Sequence, residues 1–290
     1  MSLAIVTSLS VSARALGLDL AHAWRLVPGR GMAIVHQGEP EEVAANDAIE
    51  GTRGRCEPGM VAVAGQMRVG DGASIEELQK ESCVEWIDRE YPERCARFDR
   101  DAWLDVARRL PTKSMRFCMD RFEYPNRRGT YPFIAVSWRD AAATCADDGK
   151  RLCSEDEWTF ACEGEDAQPY PYGYDRDADA CVIDRPWIEP HEQLLRAWGS
   201  PEMIGEVDRL WQGAPSGTNP RCRSPFGVYD MTGNVDEWTR SSRATGYRSI
   251  LKGGYWGPVR TRCRPSTRAH GEEYSYYQQG FRCCADSPAQ

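Results

Sequence analysis

Twelve cysteines in a chain of 290 residues constrain this protein more than any other feature. The number is even, the residues are scattered singly apart from the adjacent pair Cys283 and Cys284, and no C-x-x-C spacing occurs. Zinc cages are normally built from closely spaced cysteine or histidine pairs. The four histidines, His22, His36, His191 and His270, are not within helical reach of one another. The pattern therefore reads as a disulfide framework, and disulfides persist in oxidising compartments. An extracytoplasmic location (periplasmic, envelope-associated or secreted) is the expectation that follows.

No apolar run approaches the roughly 18 residues that a transmembrane helix requires. The net charge of −8 is spread along the chain, which argues against a nucleic-acid footprint and mildly favours cation binding. Residues 1–50 read as leader plus linker. The stretch MSLAIVTSLSVSARALGLDLAHA has an apolar run from Leu3 to Leu9 and a small-x-small end, Ala21 to Ala23, but Arg14 and Asp19 interrupt it and no basic start precedes it. It is a degenerate export signal at best. The folded domain is expected over 51–290.

Within that domain, Met60 to Val69 reads as a strand pair, and 74–110 as a helical insertion in which Leu78, Cys83, Trp86 and Ile87 have rough helical spacing. Two better helices follow. In VSWRDAAATCADDGKR, Trp138, Ala141, Ala142 and Cys145 share one face, with Ser137 and Asp140 as a start signal and Gly149 as a stop. In CSEDEWTFACEG, Ser154 and Glu157 form a capping box, and Trp158 and Cys162 share a face. Both Cys145 and Cys162 should point inward. The last third reads as short strands joined by glycine turns, which makes the fold α+β: two helices on irregular antiparallel sheets.

Five phrases, VSWRDAAATCADDGKRLCSEDEWTFAC, YPYG, SPFGVYDMTGNVDEW, KGGYW and GFRC, occur in this order. Together they make residues 56–285 resemble the formylglycine-generating enzyme (sulfatase-modifying factor) family, whose fold is a variant of the C-type lectin fold. The resemblance implies two disulfides, Cys145 with Cys283 and Cys162 with Cys263. Cys153 stands where that family usually has proline and Cys284 is also extra, which suggests a third bridge between them; Cys181 with Cys222, Cys83 with Cys95 and Cys56 with Cys118 would complete six, but neither the resemblance nor the spacing fixes these pairings.

The resemblance also raises the question of activity. The family's oxidase chemistry uses two thiolates just after KGG to bind Cu(I), a soft ion suited to sulfur. Here that segment is Tyr255, Trp256, Gly257, Pro258, Val259, Arg260, Thr261 and Arg262, without a cysteine. A copper site is therefore not expected, and the function expected is binding of a protein or small-molecule ligand at the former active-site groove. The alternative is a formylglycine-generating-type oxidase acting on a cysteine-containing protein or a related small molecule.

Two further sites are suggested. The phrase GNVDEW matches the family's calcium motif, so the resemblance implies Ca²⁺ on Asn234, Val235 and Glu237; alternatively Asn234 caps a turn and Glu237 is a strand residue. For the groove, Tyr255, Trp256, Arg260, Arg262 and Tyr276 have the composition of a binding hot spot. The arginines Arg260, Arg262, Arg264 and Arg268 alternate as on a strand with one charged face. They could equally be structural, paired with Asp140, Glu155 and Asp156.

Overall fold

The structure, a computed structural model, describes residues 24–27, 29, 31–34, 56–70, 74–244 and 246–288. Its first element is a hairpin of β1 (Trp24–Val27) and β2 (Gly31–Ile34). This corrects the reading of 1–50 as leader and linker throughout: Trp24 is buried, edge-on to Trp211 at 5.0 Å, and anchors the hairpin in an aromatic cluster. The suggested signal at 1–23 lies outside the described residues.

The stretch Met60 to Val69 is one long strand rather than a pair: β3 (Met60–Arg68) runs antiparallel to β6 (Thr112–Asp120) along its whole length. Between them lies the insertion, which is helical only at its ends. Helix α1 (Ile75–Glu81) is followed by a hairpin of β4 (Cys83–Asp88) and β5 (Arg94–Phe98), then by α2 (Arg100–Ala107). The helical spacing was misleading here because the Cys83–Cys95 bridge ties two strands across a turn at Pro92.

Helices α3 (Trp138–Asp147) and α4 (Glu155–Glu163) begin where their caps require: Ser137 accepts from the Asp140 amide, and Ser154 and Glu157 cap each other's backbone reciprocally. Short α5 (Glu192–Leu195) and α6 (Pro201–Leu210), with Ser200 as cap and proline at its start, carry the aromatic cluster's helical side.

One four-stranded sheet has the order β3, β6, β12 (Cys283–Asp286), β7 (Arg151–Leu152), antiparallel throughout. The other has the order β10 (Ser266–Thr267), β9 (Ser249–Lys252), β8 (Asp236–Arg240), β11 (Gln279–Phe281). Its β8–β11 pair is parallel, a departure from an all-antiparallel expectation. Trp158, Phe160 and Cys162 of α4 pack on the first sheet with Val61, Val63, Phe117 and Met119, while Trp138, Ala141 and Cys145 of α3 pack with Trp238, Leu251 and Phe281.

All twelve cysteines are bridged: Cys56–Cys118, Cys83–Cys95, Cys145–Cys283, Cys153–Cys284, Cys162–Cys263 and Cys181–Cys222. Side chains alternate along a strand, so neighbouring Cys283 and Cys284 leave opposite faces of β12. One reaches α3, the other the residue that leads into α4, and each sits in a different core cluster.

Candidate functional site

Strand β9 ends in Lys252, and the backbone then turns through Gly253 and Gly254 at φ +90° and +71°. A Cβ at Gly253 would sit 2.9 Å from the Met231 carbonyl and 3.1 Å from the Trp158 ring, so glycine is required there. The following residues do not form the strand suggested by the alternating arginines. Backbone hydrogen bonds from Val259 to Gly257, Thr261 to Val259 and Arg262 to Arg260, at 2.8–2.9 Å, coil the loop tightly, and Cys263 fastens it to α4. Only Ser266 and Thr267 pair back, opposite Lys252 and Leu251.

The coil sends each guanidinium to a different element. Arg260 approaches Glu76 at 3.5 Å and lies 5.3 Å from the Tyr91 ring centre. Arg262 is buried and donates to Gln79 Oε1 at 2.8 Å. Arg264 donates to buried Glu163, and Arg268 pairs with Glu155. Of the three carboxylates expected from sequence, Glu155 alone is a partner; Asp140 accepts from Ser137 and Asp156 pairs with Lys113, because the arginines follow a coil and not a strand face.

Beside this loop opens a cleft of about 260 Å³. Tyr255, Arg260 and Tyr276 line it, whereas Trp256 and Arg262 do not. Trp256 is buried against Trp211 and Tyr277, at 4.7 and 5.9 Å between ring centres, and Arg262 lies under the insertion. The cleft also takes in Tyr274, which belongs to the same aromatic cluster in sequence, and Asp236, Gln278, Gln279, His270 and the hairpin-tip Tyr91, which the sequence did not single out as site residues. A signal was present for three of them. Asp236 alternates with Glu237 on β8, and Gln278–Gln279 is a polar pair entering a strand otherwise bound for the core.

Burial pushes the Asp236 carboxyl up to about 7, and burial beside that carboxylate raises the Tyr255 hydroxyl to about 12. Burial also lowers Lys252 to about 8, with its ammonium donating to the Arg264 carbonyl at 2.8 Å. The Tyr276 hydroxyl donates to Glu192 at 2.6 Å, which fixes that wall.

The calcium triad is arranged differently from a vacant cation site. Asn234 accepts from the Ala214 amide at 2.8 Å and donates to the Glu123 carboxylate at 2.7 Å. Glu237 accepts from Trp158 at 2.8 Å and from Arg282 at 2.7 and 2.6 Å. From Val235 the motif would use the backbone carbonyl, since its side chain, packed in the aromatic cluster, has no ligand atom. A hard cation needs six or more convergent oxygens. Here the two polar side chains turn to separate partners, and among the described residues no group of three or more His, Cys, Asp or Glu is placed to hold a metal. As arranged, the side-chain oxygens of Asn234 and Glu237 do not converge on one point.

Residues 75–287 match the family described as the sulfatase-modifying factor enzyme 1-like domain. The chain is 32% identical over 164 residues to an inactive C-alpha-formylglycine-generating enzyme 2 from Bos taurus, covering 53% of this chain and 50% of that protein. It is 27% identical over 183 residues to a formylglycine-generating enzyme from Mus musculus, covering 55% and 45%. The chain thus spans about half the length of the curated relatives it matches. A solved structure of CarF aligns over 78% of this chain and 97% of its own, at 14% identity and a TM-score of 0.47.

Proposed function

This chain belongs to the sulfatase-modifying factor enzyme 1-like domain family, and on that premise we propose that it is an exported binding module. It holds a ligand or partner protein in the cleft beside the KGG loop and does not carry out cysteine oxidation. The observation that carries the reading is the cysteine inventory. Every one of the twelve cysteines is consumed in a bridge, and Cys263, the one nearest the cleft loop, is tied to Cys162. A Cu(I) centre built on two protein thiolates has no sulfur to use. Six disulfides also support export, since such bridges persist in oxidising compartments. Among the described residues no helix is long and apolar enough to cross a membrane.

The test is alkylation of the denatured, unreduced protein, followed by Cu(I) loading and oxygen-consumption measurements with a cysteine-containing peptide. The binding reading expects no labelled cysteine, no stoichiometric copper and no oxygen uptake. Labelling at Cys263, together with oxygen uptake that tracks loss of the peptide thiol, would replace it with the oxidase reading.

A further inference from the structure

The polar groups around the cleft are unbalanced in one direction. In the parallel pair of β11 and β8, Gln279 stands opposite Asp236, so the two side chains leave the same face of the sheet, and both line the cleft. Gln279 is 3% exposed, and its side-chain oxygen has no hydrogen-bond donor. The side-chain oxygen of neighbouring Gln278, which also lines the cleft, has none either. Asp236 receives one long bond, 3.3 Å from the Gly254 amide. Three acceptor oxygens thus converge, two of them without a donor, while the amide end of Gln278 is engaged with the Tyr255 hydroxyl. A buried acceptor left unpaired is destabilising, so such a floor is poised for a ligand that brings donors.

The walls favour a particular kind of donor. Tyr255, Tyr274, Tyr276 and Tyr91 surround the floor, and the His270 ring stacks on Tyr274 at 4.0 Å. Aromatic rings beside a carboxylate suit an organic ammonium; one face of Tyr91 is taken by Arg260 and one of Tyr274 by His270, so Tyr255 and Tyr276 are the rings left to enclose it. Arg260, the cation on the cleft wall, is directed to Glu76 and the Tyr91 face. Lys252, on the same strand as the KGG turn, gives its ammonium to Arg264 and Ser266. Both act on the Asp236 charge through space, but neither donates a hydrogen bond to it.

We infer that the cleft binds a primary ammonium carried on an alkyl chain, with Asp236, Gln278 and Gln279 accepting its hydrogen bonds and the tyrosines enclosing its stem. This rests on the binding reading above and specifies its ligand. A free alkylamine and a lysine side chain present the same group. They differ in the peptide backbone, which would lie along the rim formed by Tyr91 and Pro92 at the tip of the β4–β5 hairpin.

The experiment is amide chemical-shift titration of the full chain with n-butylamine, n-butanol and butyrate, and with a blocked tripeptide centred on lysine. Butylamine should shift Gly253, Gly254, Gln278 and Gln279, and the two uncharged or anionic probes should not. Asp236→Asn should weaken butylamine at least about tenfold, the loss of one charge-assisted hydrogen bond. Gln279→Leu, which removes an unpaired buried acceptor without adding charge, should weaken it too while leaving the fold intact, and guards against a destabilised Asp236 variant. Tighter binding of the tripeptide than of butylamine assigns the site to a protein lysine, and the reverse order assigns it to a free amine. Equal or stronger shifts with butanol or butyrate would overturn the inference while leaving a ligand-binding cleft in place. A lack of shifts with all probes would also overturn it, and the binding reading would then stand or fall on its thiol and oxygen assays.

Discussion

The guanidinium of Arg282 donates to both carboxylate oxygens of Glu237, at 2.7 and 2.6 Å, and each side chain is 1% exposed. Arg282 occupies the single residue between β11 and β12, so this pair sits where the chain crosses from one sheet to the other. It also faces buried Glu123 and Asp230, whose carboxyls burial pushes up, Asp230 to about 7. Arg282→Met would leave three buried acids without their common cation. The expected loss is about 3–5 kcal/mol in denaturant unfolding, with part recovered when Glu237→Leu is added. A single variant within about 1 kcal/mol of the parent would mean the pair does not organise the junction.

The two glycines after Lys252 invite a second test. Gly253 has φ +90° and lies against the Met231 carbonyl, so Gly253→Ala must move backbone. A loss of about 1–3 kcal/mol is expected. Gly129, at φ +75° with open space around it, should lose less on the same substitution, roughly 1 kcal/mol. Similar losses at both positions would show that backbone conformation alone, and not the close approach, fixes the turn.

What the sequence disclosed and what it hid follow from locality. The caps at Ser137 and Ser154, and the inward faces holding Cys145 and Cys162, are set by residues a few positions apart, so they can be read directly. The insertion was misjudged because a spacing of Leu78, Cys83, Trp86 and Ile87 does not reveal that Cys83 is tied to Cys95. The cleft was half legible. Tyr255, Arg260 and Tyr276 flank the KGG loop in sequence, but Gln279 meets Asp236 only through a parallel strand pairing between residues 43 positions apart in register. Burial of Trp256 and Arg262 likewise depends on Trp211 and Gln79, which no local pattern connects to them.

Loop length separates the bridges energetically. Cys162–Cys263 closes a separation of 101 residues and Cys83–Cys95 one of 12. Chain entropy predicts losses of about 5 and about 3 kcal/mol when each pair is replaced by alanine. The shorter bridge also holds the hairpin whose tip carries Tyr91 into the cleft. Its removal should therefore weaken ligand binding more than its stability cost implies, as read by parallel unfolding and binding titrations. Undiminished binding would place the hairpin outside the ligand's contacts.

The arrangement of Asn234 and Glu237 makes a claim about metal. Since their oxygens are already engaged by Ala214 and by Trp158 and Arg282, calcium should add nothing to the folded state. Thermal unfolding in calcium and in chelator is expected to give the same Tm. A rise in Tm that follows calcium concentration would show that binding reorganises both side chains, because a ligand of the native state stabilises by mass action.

Acid should act at a different place. Glu206 on α6 is buried, which opposes ionisation, but hydrogen bonds from Arg209 and from the His191 backbone and ring hold its carboxyl down to about 2 from 4.5. Because the folded value is the lower one, its contribution is complete above the unfolded value near 4.5 and is lost as pH falls through that value towards 2. The full shift corresponds to roughly 3–4 kcal/mol, which solvent screening of the partly exposed Arg209 and His191 reduces to about 2–3 kcal/mol. Unfolding free energy measured between pH 6 and 2 should fall less steeply for Glu206→Gln than for the parent, with the two curves converging at the acid end. Parallel curves would assign the acid sensitivity elsewhere, and the clamp formed by Arg209 and His191 would then be no stronger than an exposed ion pair.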